Sequence, residues 1–255
     1  MIATSLALAR RTLRGALRRP QFLAPLVIFP SLFLAINTGG LHRTTDLPGF
    51  PHVGGFLDFQ LAAAMTQSLL LGGVSQGIGT ALEIEGGFFD RLVASPIPRV
   101  SIVLGRILAG AVIAFFQIVY FLIVGVVFGA SIEGGVVGLL VVLAIGVLAG
   151  TGFAALGVLI ALRARNASTV QGIFPLVFVV LFVSSAFFPR SLLSHPADWV
   201  AAYNPLSYIA DGMRDPIISS VSAGPVLEAF AAAAGLTAAF IALAVVALRG
   251  RLRDV

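Results

Sequence analysis

The chain has 255 residues, 58% of them hydrophobic and only 11% charged, and it contains no cysteine. Apolar blocks of about 20 residues recur along it, more than a soluble domain of this length can cover, so composition points to an all-α integral membrane protein and excludes a barrel of short alternating strands. The net charge of +5 sits on arginines at the ends of the apolar blocks, with no lysine anywhere, which is the distribution of a topology signal and not of a nucleic-acid surface.

In chain order, residues 1–20 place Ile2, Leu6, Leu13 and Leu17 on one helical face and Arg10, Arg14 and Arg18 on the other. That pattern predicts an interfacial helix held on anionic membrane lipid, ended by Pro20. A cleaved leader would want a shorter apolar core and small residues at its end, which Asn37-Thr38-Gly39-Gly40 does not supply. The run is therefore expected to persist as a first span over about 21–41, kinked at Pro25 and Pro30. A loop over 42–55 precedes a second span, about 56–82, which is the most polar, with Asp58, Gln60, Gln67, Ser68, Ser75 and Gln76. Gln60 and Gln67 are seven apart and share a helical face.

Residues 83–106 interrupt the apolar pattern with Glu83, Glu85, Asp90, Arg91, Arg99 and Arg106. A charge at the centre of an inserted helix costs about 2.5 to 3.5 kcal/mol, so this segment is expected outside the bilayer. Within it, Phe88 and Leu92, and Phe89 and Val93, are spaced four apart, and Pro96 and Pro98 end the run. The spacing predicts a short helix with an exposed aromatic face, either lying on lipid headgroups or docking a soluble protein.

A third span follows over about 107–129, a hinge around Ile132-Glu133-Gly134, and a fourth span over about 135–162, in which Gly146 and Gly150 let backbones approach. After the turn Arg163-Ala164-Arg165-Asn166, a fifth span runs over about 168–188, interrupted by Pro175. Residues 189–225 are too mixed to span, and Trp199 and Tyr203 suit an excursion at the outer interface that includes a short helix from Leu206 to Arg214. A sixth span, about 226–248, precedes Arg249, Arg251 and Arg253. With six spans and both termini cytoplasmic, thirteen arginines fall inside and three, Arg43, Arg190 and Arg214, fall outside. The positive-inside rule selects that orientation.

Several chemistries are excluded. Gly73-Val74-Ser75-Gln76-Gly77 matches the nucleophile-elbow pattern, but it lies within an apolar helix and the histidines, His42, His52 and His195, all fall in the outer loops. Without lysine there is no Walker loop, and the missing cysteines exclude thiolate metal sites. An ion-coupled carrier would want carboxylates or histidines near the midplane, whereas Asp58 and Glu228 lie near outer ends and Glu83 near an inner one. The chain is expected to be no enzyme and to hold no cofactor or metal.

Two motifs carry a resemblance. The segment Glu85-Gly86-Gly87-Phe88-Phe89-Asp90-Arg91-Leu92, with Ser95-Pro96-Ile97-Pro98-Arg99 and Leu104-Gly105-Arg106-Ile107-Leu108-Ala109, is similar to the most recognisable motif of type-2 ATP-binding-cassette (ABC) permeases. Asn204-Pro205-Leu206-Ser207-Tyr208-Ile209-Ala210-Asp211-Gly212-Met213-Arg214 resembles their motif before the last span. Length and span number agree, so the resemblance covers essentially all of residues 1–255 as a single transmembrane domain, and it is strongest to the daunorubicin-resistance exporter permeases of actinobacteria. Gly87 stands where a threonine is common and Asp90 where a glutamate is common.

The resemblance implies an exporter in a bacterial plasma membrane, in which two permeases, identical or different, form the pathway. Two separate ATPase subunits carrying Mg-ATP would receive the cytoplasmic helix between spans two and three. By position, Glu85, Phe88, Phe89, Asp90, Arg91 and Leu92 would make that coupling helix, residues 1–20 the connecting helix, and residues 189–225 an outer re-entrant element marked by Asn204, Pro205, Tyr208 and Arg214. Phe33, Gln60, Gln67, Gln171 and Phe178 are candidates to line a path for a hydrophobic or amphipathic substrate, such as a drug, antibiotic or lipid-like molecule. For the glutamines the competing reading is interhelical hydrogen bonding, and for the phenylalanines packing. The alternative to transport is a membrane scaffold whose cytoplasmic helix recruits a partner.

Overall fold

A computed structural model describes residues 1–251, and among these it contains helices and turns but no strand. Arg253, one of the arginines in the orientation count, lies outside the described residues. An amphipathic helix α1 (Ile2–Leu17) leads into α2 (Pro20–Leu41), which runs unbroken through Pro25 and Pro30. The central helix α3 (Phe56–Glu85) is followed by the short α4 (Phe88–Ala94), then α5 (Arg99–Val127) and α6 (Gly135–Ala164). Two short helices, α7 (Ala167–Gly172) and α8 (Phe174–Phe182), precede α9 (Ala197–Tyr203), α10 (Pro205–Ile218) and the last helix, α11 (Ala223–Arg251).

Four stretches are long and apolar enough to cross a membrane: Pro20–Asp46, Arg99–Val127, Gly135–Ala164 and Ala223–Arg251. At 1.5 Å per residue, each exceeds the roughly 30 Å hydrocarbon core. Helix α3 matches them in length with 30 residues but is less apolar, because Gln60, Thr66, Gln67, Ser68, Ser75 and Gln76 interrupt it. The fifth expected span is broken into α7 and α8, where Gly172 is followed by Pro175, whose missing N–H cannot continue the ladder.

Helix α3 is the hub. Most of its side chains are buried, against α2, α5, α6 and α10, while α6 bridges α3, α5 and α11. The α3–α6 crossing depends on glycine, since a Cβ on Gly157 would collide with the Gly73 carbonyl and one on Gly77 would sit 2.9 Å from the Gly157 carbonyl. The Gly-Val-Ser-Gln-Gly run is thus a packing surface. Gly146 and Gly150 likewise receive Ile118 and Ala114 of α5. Facing away from this core are Ile28, Leu32, Phe116, Ile123, Val137, Leu140 and Val246, an apolar exterior suited to lipid.

The polar interruption is shorter than the sequence predicts. α3 continues to Glu85 and α5 begins at Arg99, so Arg106 lies two turns inside a helix and is only 4% exposed. Burial is tolerated because Arg106 pairs with Glu83 of α3, donates to the Thr80 hydroxyl at 3.2 Å, and so keeps its charge neutralised. Arg11 of α1 reaches the same carboxylate at 3.0 Å. The termini of α3, α5, α6 and α11 that carry these and the neighbouring arginines form what we call the basic end of the bundle.

Candidate functional site

Helix α4 sits at the basic end as a bracket between helices. Gly87, at φ +65°, turns the chain out of α3 in a left-handed conformation that a side chain would strain, and Ser95 with Pro96 ends the helix. The aromatic face does not look outward. Phe89 is fully buried among Ile102, Val103, Ile107, Val158 and Leu248, which belong to α5, α6 and α11. Leu92 and Val93 pack on the rim of the same cluster. Phe88 is half-buried under the Arg11 guanidinium, 3.7 Å from its ring centroid. The exposed surface of α4 is therefore polar, formed by Asp90 and Arg91 with Ala94.

Three contacts fix this bracket. Asp90 accepts from Arg251 of α11 at 2.9 Å, and the same guanidinium lies 4.8 Å from the Phe89 ring. Glu85 accepts from the Ala167 N–H at 2.8 Å, tying the end of α3 to the start of α7 beside the Asn166 cap. Arg91 is exposed and has no carboxylate within ion-pair distance among the described residues.

The expected pathway residues separate into groups. Phe33 and Phe178 belong to one aromatic cluster between α2 and α8: Phe29 lies 5.1 Å from Phe33 and 5.6 Å from Phe178, and Phe182 stacks 5.0 Å from Phe187. Gln60 and Gln67 are each 1% exposed on α3, and none of their amide atoms has a hydrogen-bond partner among the described residues. Orphaned amides are costly, so these two are unlike Gln76 and Gln117, whose amides donate to the Arg106 and Ser68 carbonyls. Gln171 stands apart, exposed on α7 near the basic end.

At the far end, the second motif forms a buried polar knot. Asn204 caps α10 by accepting from the Leu206 N–H at 3.0 Å and donates to the Val180 carbonyl at 2.8 Å, with Pro205 as the first helical residue. The Tyr208 hydroxyl donates to the Ala202 carbonyl at 2.7 Å, and Arg190 lies over its ring. Arg214, 4% exposed, donates to Asp211 at 2.6 Å, to the Phe59 carbonyl at 3.2 Å, and to the Ser185 and Ala186 carbonyls. Its guanidinium lies 3.8 Å from the Phe59 ring centroid. One side chain thus ties α10 to α3 and to the segment after α8. Nothing in the sequence marks Phe59 or Ser185 as partners of this knot, whereas Asp211 stands within the second motif, three residues before Arg214 on the same helix.

The chain matches the family profile described as "ABC-2 type transporter" over residues 5–218. It is 29% identical over 171 residues to the "Probable doxorubicin resistance ABC transporter permease protein DrrC" of Mycobacterium tuberculosis, a match covering 66% of this chain and 58% of that protein. The matched stretch thus spans less than two thirds of that relative's length. It is 24% identical over 232 residues to the "Daunorubicin resistance ABC transporter permease protein DrrB1" of Streptomyces coeruleorubidus, covering 88% of this chain and 78% of the relative. With most of its length matched by the family profile and both motifs in place, the chain belongs to the ABC-2 type transporter family.

Proposed function

We propose that this chain is the transmembrane subunit of an ATP-driven exporter that moves hydrophobic or amphipathic molecules out of the cytoplasm or the inner leaflet. In this reading α2, α3, α5, α6, the pair α7–α8, and α11 make six passes, both termini are cytoplasmic, and the segment from residue 189 to 225 re-enters from outside. Two ABC ATPase subunits carry Mg-ATP and bind from the cytoplasm, and a second permease, identical or different, completes the pathway. The drug-resistance relatives support a substrate of that chemical class.

The observation that carries the reading is the construction of α4. Its apolar side, with Phe89, is buried in α5, α6 and α11, while Asp90 and Arg91 remain at the surface. A load applied to the polar face is passed to three long helices through a packed core that cannot yield, which is what a mechanical input without its own ATP site requires. An exposed Arg91 suits an acidic groove on the partner.

The test uses the chain co-expressed with its cognate ABC ATPase. Arg91→Glu is expected to abolish copurification and ATP-dependent efflux without lowering the permease's melting temperature. Undiminished copurification and efflux would remove α4 from the coupling role. Copurification retained in wild type without any efflux, for a panel of amphipathic drugs, would instead favour a recruiting scaffold.

A further inference from the structure

Between α1, the start of α2 and the basic end of α3 lies a cavity of about 930 Å³. Arg10, Arg11, Arg14, Arg18, Arg19 and Arg106 line it, opposed by one carboxylate, Glu83. That carboxylate is already shared by Arg11 and Arg106. Arg10, Arg14, Arg18 and Arg19 have no acidic partner among the described residues. So many guanidinium groups around one concavity repel each other, and the cavity is a sink for an anion.

The other walls say which anion. Phe22 and Leu23 of α2, Leu82 of α3 and Ile113 of α5 also line it. Ile113 is seven residues beyond Arg106 on α5, about 10 Å further along the helix axis, so the space runs from a cationic mouth to a floor where Phe22, Leu23 and Ile113 stand beside Ser75 and Gln76, whose side chains already donate to the Phe22 and Arg106 carbonyls. A free inorganic anion would leave that floor unfilled. A molecule with a phosphate group at one end and an acyl chain at the other fills both. On its outer side α1 exposes Ile2, Leu6 and Leu17, the residues that would sit among lipid tails, which sets the mouth at the depth of the headgroups.

We propose that this cavity is a specific site for one anionic phospholipid, its phosphodiester held by the unpaired arginines of α1 and of the turn that follows it, and its first acyl segment against Phe22, Leu23 and Ile113. Phe88 of α4 is a further wall residue, held under Arg11, so the bound lipid abuts the bracket at the basic end. The site is independent of whether the chain transports anything. It differs from general adsorption of a basic helix in predicting saturation by a single lipid.

Native mass spectrometry of the purified full chain, titrated with dioleoyl-phosphatidylglycerol or dioleoyl-phosphatidylcholine, tests it. One phosphatidylglycerol is expected to remain bound per chain, with phosphatidylcholine retained much more weakly. Arg14→Gln combined with Arg18→Gln removes two cavity charges that make no ion pair, and is expected to weaken phosphatidylglycerol binding about tenfold or more. Arg43→Gln with Arg249→Gln removes the same charge elsewhere and is expected to leave binding as in wild type. Equal retention of the two lipids, or equal losses from the two double variants, would overturn the site in favour of diffuse attraction. Displacement of the lipid by millimolar inorganic phosphate would overturn the lipid assignment. Unchanged lipid binding with loss of the cognate ATPase in the Arg14/Arg18 variant would mark the cavity as a protein contact.

Discussion

Replacing Arg214 with Met keeps most of the side-chain volume and removes the fork that joins three segments. The ion pair with Asp211 goes, and the Phe59, Ser185 and Ala186 carbonyls lose a donor. Each buried acceptor left short costs about 1 kcal/mol at the low end of the usual range. Asp211 is one-third exposed and keeps the Ser185 hydroxyl at 2.9 Å, so its loss adds only about 1 kcal/mol after solvent screening. The total is about 4 kcal/mol, or on the order of 10 °C in a thermal melt of a chain this size. Arg214→Lys keeps the charge and loses the fork, and is expected to fall between wild type and Met. In Arg214→Met the Asp211 carboxylate still has Arg190 at 3.5 Å and the Ser185 hydroxyl, so adding Asp211→Asn is expected to change the melting temperature little further. Intrinsic-tryptophan or dye-based melting in detergent, repeated in nanodiscs, reads these differences. A wild-type melting temperature for Arg214→Met, or Lys as damaging as Met, would refute the assignment of Arg214 as a fork-shaped tie.

The other predictions concern different parts of the bundle. Phe89→Ala empties a fully buried ring site and is expected to cost about 3 to 5 kcal/mol, seen as lower yield and melting temperature, in contrast with the stability-neutral Arg91→Glu. Gln60→Leu and Gln67→Leu remove amides that have no partner and should raise the melting temperature, each by about 1 to 2 kcal/mol of stability. If those amides serve the substrate, the same variants lose efflux in a transport assay despite the gain. Gly157→Val places a branched side chain against the Gly73 carbonyl and should prevent α3 and α6 from closing, detectable as loss of the monodisperse species on size exclusion.

Much of this was legible in the residues, and the parts that were not share a cause. Long apolar runs bounded by arginine locate helices because lipid leaves the backbone no other solution. The break in the fifth segment was legible in Pro175, and the close packing at Gly146 and Gly150 in their spacing. Helix α4 was found by its four-residue spacings and its prolines, but not its orientation. Seven residues with Phe88 and Phe89 side by side have no single apolar face, and which ring is buried is decided by α5, α6 and α11, far away in sequence. Arg106 and Arg214 enter the orientation count as charges at the inner and outer ends, and their burial in the protein has no mark in the local sequence. Both are buried because a carboxylate and nearby hydroxyl or carbonyl oxygens surround them. Gln60, Gln67, Gln76 and Gln117 look alike in sequence, yet among the described residues the amides of the first two have no partner and those of the last two do.

The central claim is that the polar face of α4 is where a separate ATPase pushes on this bundle. The chain has no cysteine, so Ala94→Cys, beside Arg91 on the exposed surface of α4, gives a single reactive position and keeps the arginine. Inside-out vesicles containing the permease and its cognate ATPase are treated with a short thiol-to-amine cross-linker, with Asp46→Cys at the opposite end as the comparison. The account predicts a permease–ATPase adduct from position 94 whose yield changes with Mg-ATP, and none from position 46. An ATPase that copurifies fully but never cross-links to position 94, or that cross-links to position 46, would contradict it.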